Sequence, residues 1–359
     1  MRLVLLNPGP VNVSDRVRAA LLGPDACHRE PEFLALVRRV RERLARLFGG
    51  EGEYEAVLLT GSGTLAVEAM LSSGVGNGKL LVAHNGVYGQ RLLEIARTHG
   101  IPTAEVVGSA TEPLEPDRVR RALGEERGIE ALAVVHHETS TGVLNPIAEL
   151  GRIARQYGVR FLVDSVSGLG GDELSWDDAG PDLCAGTANK CLQGIPGISF
   201  VLVRRRVSDE LASYPRRSLS LHLPAHLSAQ RADSLLFTMA VQSLYAFDAA
   251  LAELEEETVA GRIERYREAA ALLRRGFEDL GLSFLVAPPH RSNSLTALWL
   301  PAGKTYEELH DRLKDEGFVV YAGQGDFARR IFRVANMGAL ERRDFERFLV
   351  ALRKVLGRP

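Results

Sequence analysis

Cysteine is scarce in this chain of 359 residues, which has only Cys27, Cys184 and Cys191, scattered and without ligand-like spacing. That excludes a disulfide framework and gives no pattern for a zinc or other metal site. Excess charge of one sign is also missing: 44 basic residues face 46 acidic ones, for a formal net charge of −2. Bulk attraction to nucleic acid or to an anionic membrane therefore has no support. Arg38-Arg39 and Arg204-Arg205-Arg206 are short runs that read as solvated faces. No apolar stretch approaches the ~18 residues of a membrane span, and the apolar run after Met1 is too short for a signal sequence. Internal repeats and low-complexity segments are absent as well. A soluble, cytoplasmic, globular protein is expected, with no metal, no nucleic-acid partner and no membrane contact.

What is present suits a large core: 45% of residues are hydrophobic and 25% charged. The length points to two domains. Short apolar runs at 56–60, 80–84, 131–136, 160–164, 183–187 and 198–203 read as buried strands. Helical patterns at 65–72, 89–98 and 147–156 lie between them. Such alternation predicts an α/β fold, a mainly parallel sheet with helices on both faces. Past residue 206 the pattern changes to an irregular passage and then a helical stretch from 235 to about 280. Strands at 294–300, 317–321 and 331–334 and helices at 306–315 and 342–356 suggest a smaller α+β unit. The division expected is an N-terminal segment at 1–20 packing with the small domain, a large domain at 21–255 and a small domain at 256–359.

Three constellations carry chemistry. Thr60-Gly61-Ser62-Gly63-Thr64 follows a predicted strand and opens a predicted helix. Small residues, free helix N–H groups and two hydroxyls suit a phosphate, although an ordinary strand-to-helix turn reads the same way. It is neither a dinucleotide fingerprint nor an ATP-binding loop with its lysine. Next, the apolar strand Phe161-Leu162-Val163 ends in Asp164, at the sheet edge where α/β proteins bind ligands. A carboxylate there suits a protonated pyridine nitrogen; the competing reading is a helix cap by Asp164 or Ser165. Finally, Gly186-Thr187-Ala188-Asn189-Lys190 puts a lysine just past a strand. In a site that depresses its pKa the amine is a nucleophile able to form an imine; otherwise it is a surface lysine. The order persuades more than any one signal, because Asp164 and Lys190 lie one strand–helix–strand step apart, on neighbouring sheet edges.

These motifs, with Asn7-Pro8-Gly9-Pro10, Asn85-Gly86-Val87-Tyr88-Gly89, His137-Glu138-Thr139-Ser140-Thr141-Gly142 and Lys190-Cys191-Leu192-Gln193-Gly194, resemble the class V, fold-type I pyridoxal 5′-phosphate (PLP) aminotransferases from end to end. Within that class the chain is most similar to the 2-aminoethylphosphonate–pyruvate transaminases, through Arg217-Ser218-Leu219-Ser220-Leu221 and Phe332-Arg333-Val334-Ala335-Asn336. The resemblance implies Lys190 as Schiff-base lysine and proton carrier, and Asp164 as partner of the pyridine nitrogen. It implies Ser62, Gly63 and Thr64 for the phosphate, Tyr88 stacked on the ring and Thr139 bonded to the ring oxygen. Arg333 would clamp a substrate carboxylate. Thr238 would reach the phosphate from the neighbouring subunit of a homodimer. A small-molecule amino donor and a keto acid are the partners implied, in a ping-pong exchange. The stretch Cys27-His28-Arg29 departs from the subfamily's pattern, which puts the donor in question, and Ala240 replaces a common proline. Rival readings are an alanine– or serine–glyoxylate (or serine–pyruvate) aminotransferase, a PLP lyase using a loop cysteine, and a PLP-binding module without turnover.

Overall fold

Seven strands build the large sheet of the computed structural model, which describes residues 3–49, 52–177 and 179–358. In chain order they are β1 (Tyr54–Gly61), β2 (Lys79–His84), β3 (Thr103–Val107), β4 (Ile129–Val135), β5 (Arg160–Asp164), β6 (Leu183–Thr187) and β7 (Gly197–Arg204). Across the sheet they run β1-β7-β6-β5-β4-β2-β3. All neighbours are parallel except β7, which is antiparallel to both β6 and β1. The expected mainly parallel sheet is therefore present, with one reversed strand.

Alternation of side chains explains why these strands read as continuous apolar runs. Along β2, Leu81 and Ala83 enter one core while Leu80 and Val82 enter the core on the opposite face. Along β4, Leu132 and Val134 face the first and Ala131, Ala133 and Val135 the second. A strand covered on both faces needs apolar residues at every position. Truncating a fully buried leucine such as Leu132 costs about 2–5 kcal/mol in cores of this kind. Helices Pro31–Gly49 and Val241–Glu257 pack on one face, and Gly63–Gly74 and Val87–Thr98 on the other.

Two sequence expectations are corrected. The helical stretch 235–280 is two helices, Val241–Glu257 and Val259–Asp279, broken at Thr258 with φ 68°. The Thr258 hydroxyl caps the second helix by accepting from Gly261 N at 3.1 Å. Between β5 and β6 no helix occurs among the described residues, so the step from Asp164 to Lys190 is an irregular crossover. The two strands are parallel neighbours all the same, with Asp164 opposite Ala185.

The smaller sheet is antiparallel: β8 (Leu295–Trp299), β10 (Ile331–Ala335) and β9 (Tyr321–Ala322), with β10 in the centre. The strand expected at 317–321 is split, since Phe318–Val319 pairs instead with Val4–Leu5 in parallel. The core under this sheet holds Phe277, Phe318, Phe332 and Phe348, supplied by helices Val259–Asp279 and Arg342–Leu356 as well as the strands. Ala335 N also donates to Leu6 O at 2.7 Å, which fastens the N-terminal segment to this unit.

Candidate active site

The carboxyl ends of β1, β2, β4, β5 and β6 lie along one sheet edge, and segments after β1, β2, β4 and β5 line one cavity there. Thr64, Tyr88, Arg91, His137, Asp164, Val166 and Ser167 are among its lining residues. Ser62 begins helix Gly63–Gly74, its hydroxyl accepting from Leu65 N at 3.4 Å. Gly63 permits the closest approach here: a Cβ on it would lie 2.6 Å from Val166 Cγ1. The loop after β1 can therefore touch the loop after β5 only without a side chain at 63.

Asp164 caps no helix, because a turn follows it; one carboxylate oxygen accepts from Val166 N at 3.0 Å. Burial raises its pKa to about 6, and the neighbouring Glu138 charge pushes the same way, while Lys190 and Arg91 oppose. A buried carboxylate with one backbone partner has hydrogen-bonding capacity to spare and is stabilised by an added cationic partner.

Lys190 stands in the turn after β6, partly buried, and donates to Pro8 O. Burial lowers its pKa to about 8, Cys191 and Asp164 raise it, and Arg333 and Arg91 lower it further. This is a lysine whose neutral amine is accessible near physiological pH. Gly9 makes room for it, since a Cβ there would lie 2.6 Å from Lys190 Cδ. The turn is gripped from below: Cys191 O accepts from Arg262 Nη1 at 3.0 Å and Tyr266 OH at 3.3 Å, and Gln193 Nε2 donates to Tyr266 OH at 2.7 Å. Cys191 itself is fully buried, so it is no mobile loop nucleophile of the kind a lyase of the desulfurase type requires.

Glu138 is the main residue that sequence reasoning missed. Its buried carboxylate accepts from Tyr88 N and Gly89 N, each at 3.1 Å, at the start of helix Val87–Thr98. Ser140 N at 3.1 Å and Ser140 Oγ at 2.5 Å bond its other oxygen. Glu138 therefore fixes Tyr88 relative to the segment bearing Thr139. The signal lay in the quoted His137-Glu138-Thr139 motif, of which only Thr139 had been given a role. Tyr88 carries the Arg91 guanidinium 5.0 Å from its ring centre.

Arg333, on β10, is almost fully buried rather than a surface arginine. Its Nε donates to Ala322 O at 2.7 Å, and Nη1 donates to Thr139 O at 2.7 Å and Gln324 Oε1 at 3.3 Å. The small sheet thus reaches Thr139, two residues beyond His137, which lines the large-sheet cavity. Thr238 is exposed and lies apart, lining a different cavity with Thr60, Leu65 and Phe237. Its loop is tied down where Ala240 N donates to Thr60 Oγ1 at 3.1 Å. His28 and Arg29 are not among the residues lining the cavity at Asp164.

Two buried polar atoms at this edge, Thr139 Oγ1 and His137 Nε2, have no hydrogen-bond partner among the described residues. Burial pushes His137 down to about 3, so its ring is neutral. Unpaired buried polar groups are costly unless a ligand satisfies them. A small-residue helix start capped by Ser62, a buried carboxylate, a low-pKa lysine and spare polar atoms together fit PLP. They define a PLP-dependent aminotransferase, and the chain belongs to the class-V aminotransferase family, which matches residues 20–337. Over nearly its whole length it is similar to 2-aminoethylphosphonate–pyruvate transaminases. The protein from Syntrophobacter fumaroxidans is 37% identical, covering 99% of this chain and 96% of that one. That of Vibrio cholerae is 35% identical, covering 98% and 97%. Among solved structures, the subgroup IV aspartate aminotransferase of Thermus thermophilus has a TM-score of 0.90 at 29% identity, covering 99% of both chains. Alanine–glyoxylate aminotransferase from Nostoc sp. has a TM-score of 0.92 at 29% identity, covering 99% of this chain and 96% of that one.

Proposed function

We propose that this enzyme transfers the amino group of 2-aminoethylphosphonate to pyruvate in two half-reactions. The observation that carries the reading is the likeness of 35–37% identity, nearly end to end, to transaminases of that specificity. PLP, when bound, supplies an electrophilic carbonyl carbon and an electron-withdrawing pyridine ring. The chain's own residues do the rest. Lys190 Nζ would hold the cofactor as an imine and, as a free amine, would carry the proton of the donor's amine-bearing carbon. Its depressed pKa keeps a useful fraction of the amine neutral. Asp164 holds a proton on the ring nitrogen. Ser62, Gly63 and Thr64 would bind the phosphate at the helix start, Tyr88 would stack on the ring, and Thr139 Oγ1 would bond the ring oxygen. Arg333 takes the substrate's acid group.

Thr238 completes the phosphate site from a second copy, as part of a cytoplasmic homodimer. In support, Leu236 and Phe237 beside it are 36% and 43% exposed, and Leu219 is 71% exposed. Large apolar side chains left in water beside a polar site residue suit a subunit interface. The division at 255/256 belongs to the same reading, and the helix break at Thr258 supports it.

Single half-reactions test the substrate. Loss of the bound cofactor's visible absorbance is followed with 2-aminoethylphosphonate, alanine, serine and taurine. The phosphonate is expected to react fastest at equal concentration, with alanine reacting as the reverse of the pyruvate half-reaction. A faster reaction with serine, and none with the phosphonate, would replace this reading with a serine–glyoxylate or serine–pyruvate one.

A further inference from the structure

A guanidinium meets a carboxylate with two parallel N–H bonds, along either its Nε/Nη2 edge or its Nη1/Nη2 end. Arg333 offers neither freely. Nε is spent on Ala322 O, which closes the first edge with a main-chain acceptor. Each Nη carries two hydrogens, and Nη1 already serves both Thr139 O and Gln324 Oε1. The Tyr88 side chain also hydrogen-bonds this guanidinium, but among the acceptors on Nε and Nη1 only Gln324 is a side chain that a rotation can remove.

Gln324 also has somewhere to go. It leads into the short turn Gly325–Phe327 and lines a cavity of about 290 Å³ together with Gly86, Val87, Ser140 and Thr141. Within that lining, Thr141 Oγ1 is buried and has no hydrogen-bond partner among the described residues. An amide withdrawn from Arg333 finds there both room and an unsatisfied hydroxyl.

We infer that Gln324 is a built-in ligand of Arg333, displaced by the substrate's acid group, and thereby a specificity-determining residue for the acid substrate. The inference rests on Arg333 as the acid clamp. In the empty enzyme the amide keeps a buried guanidinium paired. A substrate binds only if its oxygens outbid that amide for the Nη1/Nη2 end, so weak or badly shaped acceptors are refused. Apparent affinity is then the intrinsic affinity reduced by the cost of displacing Gln324.

Steady-state kinetics of the PLP-loaded enzyme with pyruvate test this, in Gln324→Ala, Gln324→Glu and Arg333→Lys, with Tm recorded for each. Gln324→Ala is expected to lower KM for pyruvate about three- to tenfold while kcat stays within about twofold, a split that general loosening of the fold does not produce. Gln324→Glu offers Arg333 a permanent carboxylate and should raise KM about tenfold or more, an effect that shrinks as the pH is lowered toward the usual glutamate range. A KM that is unchanged or raised in Gln324→Ala, while Arg333→Lys is impaired, overturns the proposal and leaves the clamp standing. Unimpaired Arg333→Lys overturns the clamp and this proposal together.

Discussion

The two walls of this site are built on different plans. The large-sheet wall presents groups from strand ends whose backbones are locked in a sheet covered on both faces. Asp164 is fixed by register with Val135 and Ala185, and Lys190 sits in a turn held by Arg262, Tyr266 and Gln193. The small-sheet wall presents one buried arginine whose donors are shared between main-chain carbonyls, the Tyr88 side chain and a movable amide. Rigid placement suits a cofactor that stays through every turnover. A wall with one exchangeable bond suits substrates that must come and go. On the proposed roles, chemistry falls to the first wall and selection to the second, with Thr139 bonded to Arg333 between them.

The largest test of that division is Lys190→Ala. Removing the only amine in this turn should stop covalent capture of PLP and lower multiple-turnover transamination by roughly a thousandfold or more. Borohydride reduction of the native enzyme followed by peptide mapping checks the assignment, and a label on any other lysine breaks it.

Asp164→Asn ranks next and splits function from stability. Half-reactions should slow by roughly a hundredfold, as when one charge-stabilising group is lost from a site. Stability of the cofactor-free protein should move the other way. Asp164 has a folded pKa of about 6 against an ordinary 3.8, so the folded state holds its proton more tightly than the unfolded chain. Its contribution is therefore fully present below pH ~4 and is lost as pH rises toward 6. Asparagine carries no such titration. Cofactor-free Asp164→Asn should thus be more stable than the wild type above pH 6, by on the order of 2–3 kcal/mol, and equal to it near pH 4. Tm measured from pH 4 to 8 on stripped proteins reads this directly, and a parallel pair of curves would contradict it.

Thr139→Val has the smallest expected effect and sharpens the point where the walls meet. The substitution removes Oγ1 but keeps the carbonyl that holds Arg333. Cofactor retention should weaken by about 1 kcal/mol, the scale of one neutral hydrogen bond, while KM for pyruvate stays put. Cofactor release on dialysis and steady-state kinetics measure the two; a rise in KM alone would move Thr139 to the selecting wall.

The same contrast governs what could be read from sequence. Strands β2, β4, β5 and β6 were legible because burial on both faces demands unbroken apolar runs. Edge strand β3 was not, since only Val106 of its five residues is buried. The helix break was invisible because Thr258, rather than glycine or proline, takes the positive φ. Lys190 and Asp164 stood out as candidates because Asp164 ends its strand and Lys190 lies just past its own. Glu138 pairs with Tyr88 fifty residues away and Gln324 with Arg333 across two strands of the small sheet, and the spacing of those residues does not show either pairing.

The N-terminal strand carries one further consequence, for the order in which the protein is made. Val4–Leu5 finds its sheet partner at Phe318–Val319, and Pro8, just beyond it, receives the Lys190 ammonium. Residues 4–5 are made long before residues 318–319 and must stay unpaired until that segment has been synthesised. Closing so long a loop is slow, though its entropic cost grows only logarithmically with length. The large sheet can assemble during synthesis, but the lysine acquires its final surroundings only after residues 4–8 have docked beside residues 318–319.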